Sequence, residues 1–207
     1  MYRLLKIIYW SWQTLYLDLR YGGMLKGVIP IRHAQSGAYD TVNSPYSILP
    51  HLFAGRIHEA DVLVDVGCGR GRVINWWLSR GYRNQIIGIE LDAAVAAATR
   101  QRLQRFANVT ILSGDAIELL PVAGTVFYFY NPFNAAVMRR FKDRLFELFS
   151  KNRNVTLFYW NPEHLDVFET DPRWQIETVQ YTDLGDPRLE AKHRRGAIIR
   201  LRDQIDR

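Results

Sequence analysis

Apolar positions along this chain recur in two different periods. Residues 61–66 (DVLVDV), 85–89 (QIIGI), 109–112, 125–130 (TVFYFY) and 155–160 (VTLFYW) form short, nearly continuous apolar runs. Rich in β-branched and aromatic residues, they predict strands buried on both faces. Between them lie stretches of helical spacing: 72–80, the alanine-rich 92–107 with Asp92 as N-cap, and 134–150, where Val137, Phe141, Leu145, Leu148 and Phe149 share a face. Residues 45–56 predict a short helix started or broken by Pro50, and 163–169 another. Toward the end, 174–181 and 197–201 alternate apolar with polar residues, as half-exposed antiparallel strands do.

Strands alternating with helices and closing on a strand pair predict an α/β fold. The expected architecture is a three-layer sandwich with a mainly parallel sheet of about seven strands that ends in an antiparallel pair. Its crossovers should be right-handed. No internal repeat, low-complexity tract or Pro/Ser-rich linker divides the chain. The simplest organisation is one domain over 39–207 behind an N-terminal amphipathic extension, 1–38.

That extension begins MYRLLKIIYWSWQTLYLDLRY. Arg3, Lys6, Asp18 and Arg20 interrupt its apolar residues, so no uncharged run reaches the ~18 residues of a membrane-spanning helix. Asp18-Leu19-Arg20-Tyr21 offers no small-residue cleavage site of a secretory signal. Two readings stand for 1–21. One is a helix whose apolar stripe packs on the domain and ends at Gly22-Gly23. The other is a peripheral membrane contact, with Trp10, Trp12 and Tyr16 at headgroup level and basic residues near lipid phosphates.

Composition narrows the picture further. The 207 residues are 48% hydrophobic and 23% charged, enough apolar content for a sizeable core and too much for disorder. A single cysteine builds neither a disulfide framework nor a cysteine-rich zinc site. The scattered His33, His51, His58, His164 and His193 show no metal-ligand spacing, and no metal is expected. A formal charge of +6 favours anionic partners. Its basic clusters (Arg70/Arg72, Arg100/Arg102/Arg105, Arg139/Arg140/Lys142/Arg144 and Arg188/Lys192/Arg194/Arg195) carry no RNA-binding signature, and solvated helix faces are the simpler reading.

Candidate chemistry gathers behind the first strand, where Asp65-Val66-Gly67-Cys68-Gly69-Arg70-Gly71 makes a D-x-G-x-G-x-G at a strand-to-helix turn. Glycines let a ligand lie against the backbone, and the next helix presents free N–H groups to a carboxylate or phosphate. Asp65 can orient the loop or accept from an ammonium. Glu90 ends the second strand nineteen positions beyond Gly71, where a carboxylate accepts from both hydroxyls of a ribose. Leu91 can cover one face of an adenine, and Asp115 in Ser113-Gly114-Asp115-Ala116 can accept from its exocyclic amine. Asn131-Pro132-Phe133 follows the fourth strand. A nicotinamide dehydrogenase would show G-x-G-x-x-G, but Arg72 stands where the third glycine belongs.

In this order and on these strand ends, the motifs resemble a class I S-adenosylmethionine-dependent methyltransferase over roughly residues 40–202. The resemblance implies S-adenosyl-L-methionine as cofactor. It implies that Asp65, Gly67, Cys68, Gly69 and Gly71 hold its methionine part, Glu90 and Leu91 its ribose and adenine, and Asp115 and Ala116 its adenine edge. Asn131-Pro132-Phe133 is similar to the Asn-Pro-Pro-Tyr loop of nitrogen methyltransferases, without the second proline and the tyrosine hydroxyl. There the Asn131 side-chain oxygen and the Pro132 carbonyl would accept N–H bonds and Phe133 would stack on the acceptor. Residues 39–46, beginning at Tyr39, resemble the segment that closes over the cofactor in that group. The expected acceptor is a nitrogen on a protein or nucleic acid. The alternatives are an oxygen on a small molecule and a cofactor-binding module without catalysis. Such a chain is expected in the cytoplasm, or at a membrane surface if 1–21 lie on one. Taken alone, Asn131-Pro132 also reads as a turn with Asn134 capping the next helix, Asn161-Pro162-Glu163-His164 as a helix-starting turn, and Cys68 as a small packing residue.

Overall fold

The computed structural model describes residues 2–25, 27–28, 30, 37–39, 42–151, 154–182, 184–189 and 194–202. Its strands are β1 (Val62–Val66), β2 (Gln85–Glu90), β3 (Val109–Ser113), β4 (Val126–Phe129), β5 (Thr156–Trp160), β6 (Trp174–Gln180) and β7 (Arg195–Leu201). The helices are α1 (Tyr2–Arg20), α2 (Leu49–Phe53), α3 (Arg72–Ser79), α4 (Ala93–Leu103), α5 (Ala135–Phe149) and α6 (Asp166–Glu169). Each coincides with a predicted element to within a few residues. The anticipated caps are in place: Asp92 accepts from the N–H groups of Ala94 and Val95, and Asn134 from that of Val137.

The seven strands order as β3-β2-β1-β4-β5-β7-β6. β1 to β5 run parallel, and β7 pairs antiparallel with both β5 and β6. Alternate side chains feed two cores. Leu63, Ile86, Tyr128, Phe158, Trp160 and Ile198 face α1 to α4. Val64, Ile87, Phe127, Leu157, Tyr159 and Ile199 face α5 and α6. This side-to-side alternation explains why the strands read as continuous apolar runs.

α1 is docked by its C-terminal half. Its last turn closes as a Schellman motif, with Gly22 N–H donating to Leu19 O and Gly23 N–H to Asp18 O, both at 3.0 Å. Gly22 takes φ +93°, which glycine adopts without the strain of a side chain. Leu17 and Tyr21 enter the core, and Asp18 reaches Arg72 at the start of α3 at 2.8 Å. No helix among the described residues is long and apolar enough to cross a membrane.

Candidate active site

In an open parallel sheet, the crevice for ligands lies beyond the strands' carboxyl ends, where strand order reverses. Here that point falls between β1 and β4. The glycine turn leaves β1 and is pinned across the end of β2: the N–H groups of Gly67 and Cys68 both donate to Ile89 O at 2.9 Å. Gly67 takes φ +72°, and a Cβ there would stand 3.1 Å from Pro132 Cβ. Glycine therefore lets the turn after β1 press against the Asn-Pro-Phe loop after β4. α3 starts directly behind Gly71 without a side-chain cap, so its positive dipole end faces the turn.

Two acids sit beneath this turn. Glu90, 6% exposed, accepts from Gly69 N–H at 2.8 Å and from Asp92 N–H at 2.9 Å. Burial raises its pKa above the ordinary value, and these backbone donors oppose the rise. Asp65 is 3% exposed, and its Oδ2 has no hydrogen-bond partner among the described residues. Burial first, and the charge of Glu90 second, push its pKa up to about 8. A buried carboxyl oxygen without a donor is a costly feature unless something arrives to partner it. The ammonium of a ligand's amino-acid end is a partner of the right charge and valence, so the residues present fit S-adenosylmethionine at its methionine end.

The pocket in front of these acids is lined by residues from five segments. Gly67, Glu90, Leu91, Asp115, Ala116, Asn131, Pro132, Phe133 and Tyr39, all anticipated from the sequence, line it together. Asp115 also holds the N–H of Ile117 through Oδ1 at 2.8 Å. Asp65, Cys68, Gly69 and Gly71 form the layer behind. The Cys68 thiol belongs to the core, so close to Gly88 that a Cβ there would meet its Sγ at 2.8 Å. Burial holds that thiol well above its usual pKa, as a packing residue and not an activated nucleophile. Tyr130, Val42 and Gly114 line the pocket without having been singled out. The signal for Tyr130 was available, since it closes the apolar run of β4 with a hydroxyl-bearing ring directly before Asn131.

Asn131, Pro132 and Phe133 also make contacts within the protein. The Asn131 side chain ties two loops together: its amide donates to Asn161 O at 2.6 Å and its oxygen accepts from Glu163 N–H at 3.2 Å. Asn131 and Asn161 both take positive φ, 42° and 47°, a backbone twist that asparagine tolerates better than most residues. The Pro132 carbonyl accepts from Tyr39 N–H at 3.1 Å, and Asn134 N–H donates to Gly37 O at 2.7 Å. Residues 37–39 thus lie as a strap across this loop, with Ala38 bridged to Phe133. Both acceptors expected to hold a substrate N–H are engaged within the protein. The Tyr39 hydroxyl, from a residue that lines the pocket, stands 3.2 Å from His164 Nε2 in an exposed contact. Asp40 and Thr41 of this segment lie outside the described residues.

Much of the basic charge is spent internally. Arg102 bonds Tyr21 O and Asn75, Lys142 meets Asp171 at 2.6 Å, Arg188 meets Asp186 at 2.7 Å, and Arg194 reaches the carbonyls of Leu189 and Thr182. A shared cationic footprint does not emerge from these clusters. His51 and His58 are exposed and line no part of the pocket. Among the described residues no cluster of acids, histidines or cysteines is placed to hold a metal ion. His33, Lys192 and His193 lie outside the described residues.

Comparison with known proteins agrees with this arrangement. Residues 63–156 match the family model of a methyltransferase domain. An RNA methyltransferase from Salinibacter ruber, solved with S-adenosyl-L-homocysteine, superposes with TM-score 0.59 at 20% identity, over 79% of this chain and 96% of its own. A methyltransferase from Podospora anserina, also bound to that product, gives 0.56 at 13% identity over 93% and 95%. A Klebsiella pneumoniae protein provisionally assigned as an O-methyltransferase gives 0.56 at 16% over 91% and 87%. No curated protein matches the chain in sequence.

Proposed function

We propose that this chain, whose residues 63–156 match a methyltransferase-domain model and whose fold is shared with class I methyltransferases, is an S-adenosylmethionine-dependent methyltransferase acting on a nucleophile that sheds a proton at the Tyr39–His164 pair. The cofactor supplies a methyl group on a sulfonium, a good leaving group. The observation that carries its placement is the buried Asp65 oxygen without a partner. In this reading Asp65 receives the ammonium, the turn Gly67–Cys68–Gly69–Gly71 follows the methionine backbone, and Glu90 holds the ribose. Leu91, Asp115 and Ala116 bound the adenine. Positioning and exclusion of water then contribute most of the rate, up to ~7–11 kcal/mol in favourable cases.

The acceptor reading rests on the far side of the pocket. Because Asn131 bonds Asn161 and Glu163 and the Pro132 carbonyl accepts from Tyr39 N–H, their work in this reading is to shape the site and to fix the loops after β4 and β5. His164, joined to Tyr39, is the group placed to accept a proton from a hydroxyl or an ammonium. A second reading keeps the planar nitrogen of a protein or nucleic acid at Asn131 and Pro132. The likeness of that loop to the nitrogen-methyltransferase loop supports it, and the second lone pair on each oxygen would take the substrate N–H.

Calorimetry with S-adenosylmethionine and its demethylated product, together with label transfer into fractionated extract, tests both parts. Glu90→Ala should weaken donor binding at least about tenfold, as loss of a charged hydrogen-bonding partner does. His164→Gln should lower turnover about a hundredfold, with donor affinity kept and the acidic limb of the pH profile altered. Asn131→Gly preserves the positive φ while removing the amide. If it abolishes turnover while His164→Gln does not, the nitrogen reading replaces this one.

A further inference from the structure

α1 is apolar on two faces, and only one of them is used. Ile7, Trp10, Thr14, Leu17, Asp18 and Tyr21 turn toward the domain. Asp18 is held there by Arg72 and Tyr46, and Arg188 reaches Ser11. The inner face is therefore committed. On the outer face Leu5, Ile8, Tyr9, Trp12, Tyr16 and Leu19 are all exposed, Ile8 at 56% and Trp12 at 59%. At 100° per residue they fall within an arc of about 100°, along a helix of about 28 Å. Contiguous exposed apolar surface of this extent marks an interaction site.

Charge decides what covers it. α1 carries Arg3, Lys6 and Arg20, and its one acid, Asp18, is buried in the ion pair with Arg72. The outward charge of the helix is thus wholly positive. A second copy of the same face would bring these cations together with no carboxylate between them. Trp12 and Tyr16 stack at 5.4 Å, and the Tyr16 hydroxyl accepts from Arg20 at 2.7 Å. Aromatic rings with polar tips beside basic groups suit the boundary between lipid headgroups and acyl chains. We propose that α1 lies in the surface of an anionic lipid bilayer, its outer stripe sunk among the acyl chains, with Lys6 and Arg20 flanking the stripe at the phosphates and Arg3, on the far side of the helix, adding to the positive field.

Flotation of the full chain with phosphatidylcholine vesicles, with and without phosphatidylserine, tests this. Three basic residues near the surface predict an enrichment of about a hundredfold on the anionic vesicles, declining with salt. Ile8→Ser with Trp12→Ser alters exposed positions only and should cut that binding at least about tenfold. Arg3→Gln with Lys6→Gln should cut it on anionic vesicles alone. Donor affinity, unchanged in each variant, reports that the domain is folded. Failure to float, equal binding to both vesicle types, or a solution dimer dispersed by the Ile8/Trp12 variant would each overturn the proposal. None of these outcomes bears on the methyltransferase site, which α1's outer face does not touch.

Discussion

Asp18 and Asp65 are both buried carboxyls, at 1% and 3% exposure, and they do opposite things. Asp18 accepts from Arg72 at 2.8 Å, Tyr46 at 2.9 Å and Leu25 N–H at 3.3 Å. It clamps α1 and the segment after it to the start of α3. Asp65 has an oxygen with no donor among the described residues and is driven toward its neutral form. Burial alone therefore does not distinguish a structural acid from a functional one; satisfaction does. A fully partnered carboxylate holds the fold, whereas one left without a partner behind a pocket is the one the proposed function assigns to a ligand.

The largest test of this contrast is Asp18→Ala. It strands Arg72, whose side chain is only 11% exposed, and should cost about 3–5 kcal/mol in urea unfolding. A loss below about 1 kcal/mol would mean that solvent already screens the pair.

Next comes Asp65→Asn, with the opposite sign. A carboxyl raised from 3.8 to about 8 binds more protons folded than unfolded across that window. It therefore subtracts stability increasingly as pH climbs from about 4 to about 8, and no further above that. The variant lacks this dependence, so near neutral pH it should be more stable than the parent by up to about 4 kcal/mol, with the gain shrinking toward pH 4. Its affinity for S-adenosylmethionine should fall at least about tenfold, because the charge-assisted bond to the ammonium is gone. A stability that rises with pH in the parent would contradict the assignment.

Smallest is Tyr46→Phe, which removes one of three donors from Asp18. A loss of about 1 kcal/mol with donor affinity unchanged is expected from paired unfolding and calorimetry. A change in donor affinity would mean that the two acids are coupled, and the comparison would then need a different basis.

Much of this molecule was readable in advance because its signals are local. Buried parallel strands announce themselves as unbroken apolar runs, Asp92 and Asn134 as caps, and the turn at 67–71 as glycines behind an acid. The pocket's donor side followed from the same motifs, since strand ends in this topology converge on one edge. The internal partners of Asn131 were not legible: Asn161 and Glu163, which its side chain ties together, stand thirty and thirty-two positions away. The partners of the basic clusters were not legible for the same reason, as most of their members find carboxylates or carbonyls only after the chain has folded.

The amino-acid order by itself determined the elements, their sequence, the class of sheet and the donor motif, each encoded within a few residues. Only the tertiary structure decided which polar side chains are already satisfied. It also decided that α1 presents one apolar face inward and another outward. These are properties of partners brought together across the chain, as Asp18 meets Arg72 across fifty-four positions. Sequence spacing carries no record of such meetings, because a hydrogen bond depends on distance in space and not on distance along the backbone.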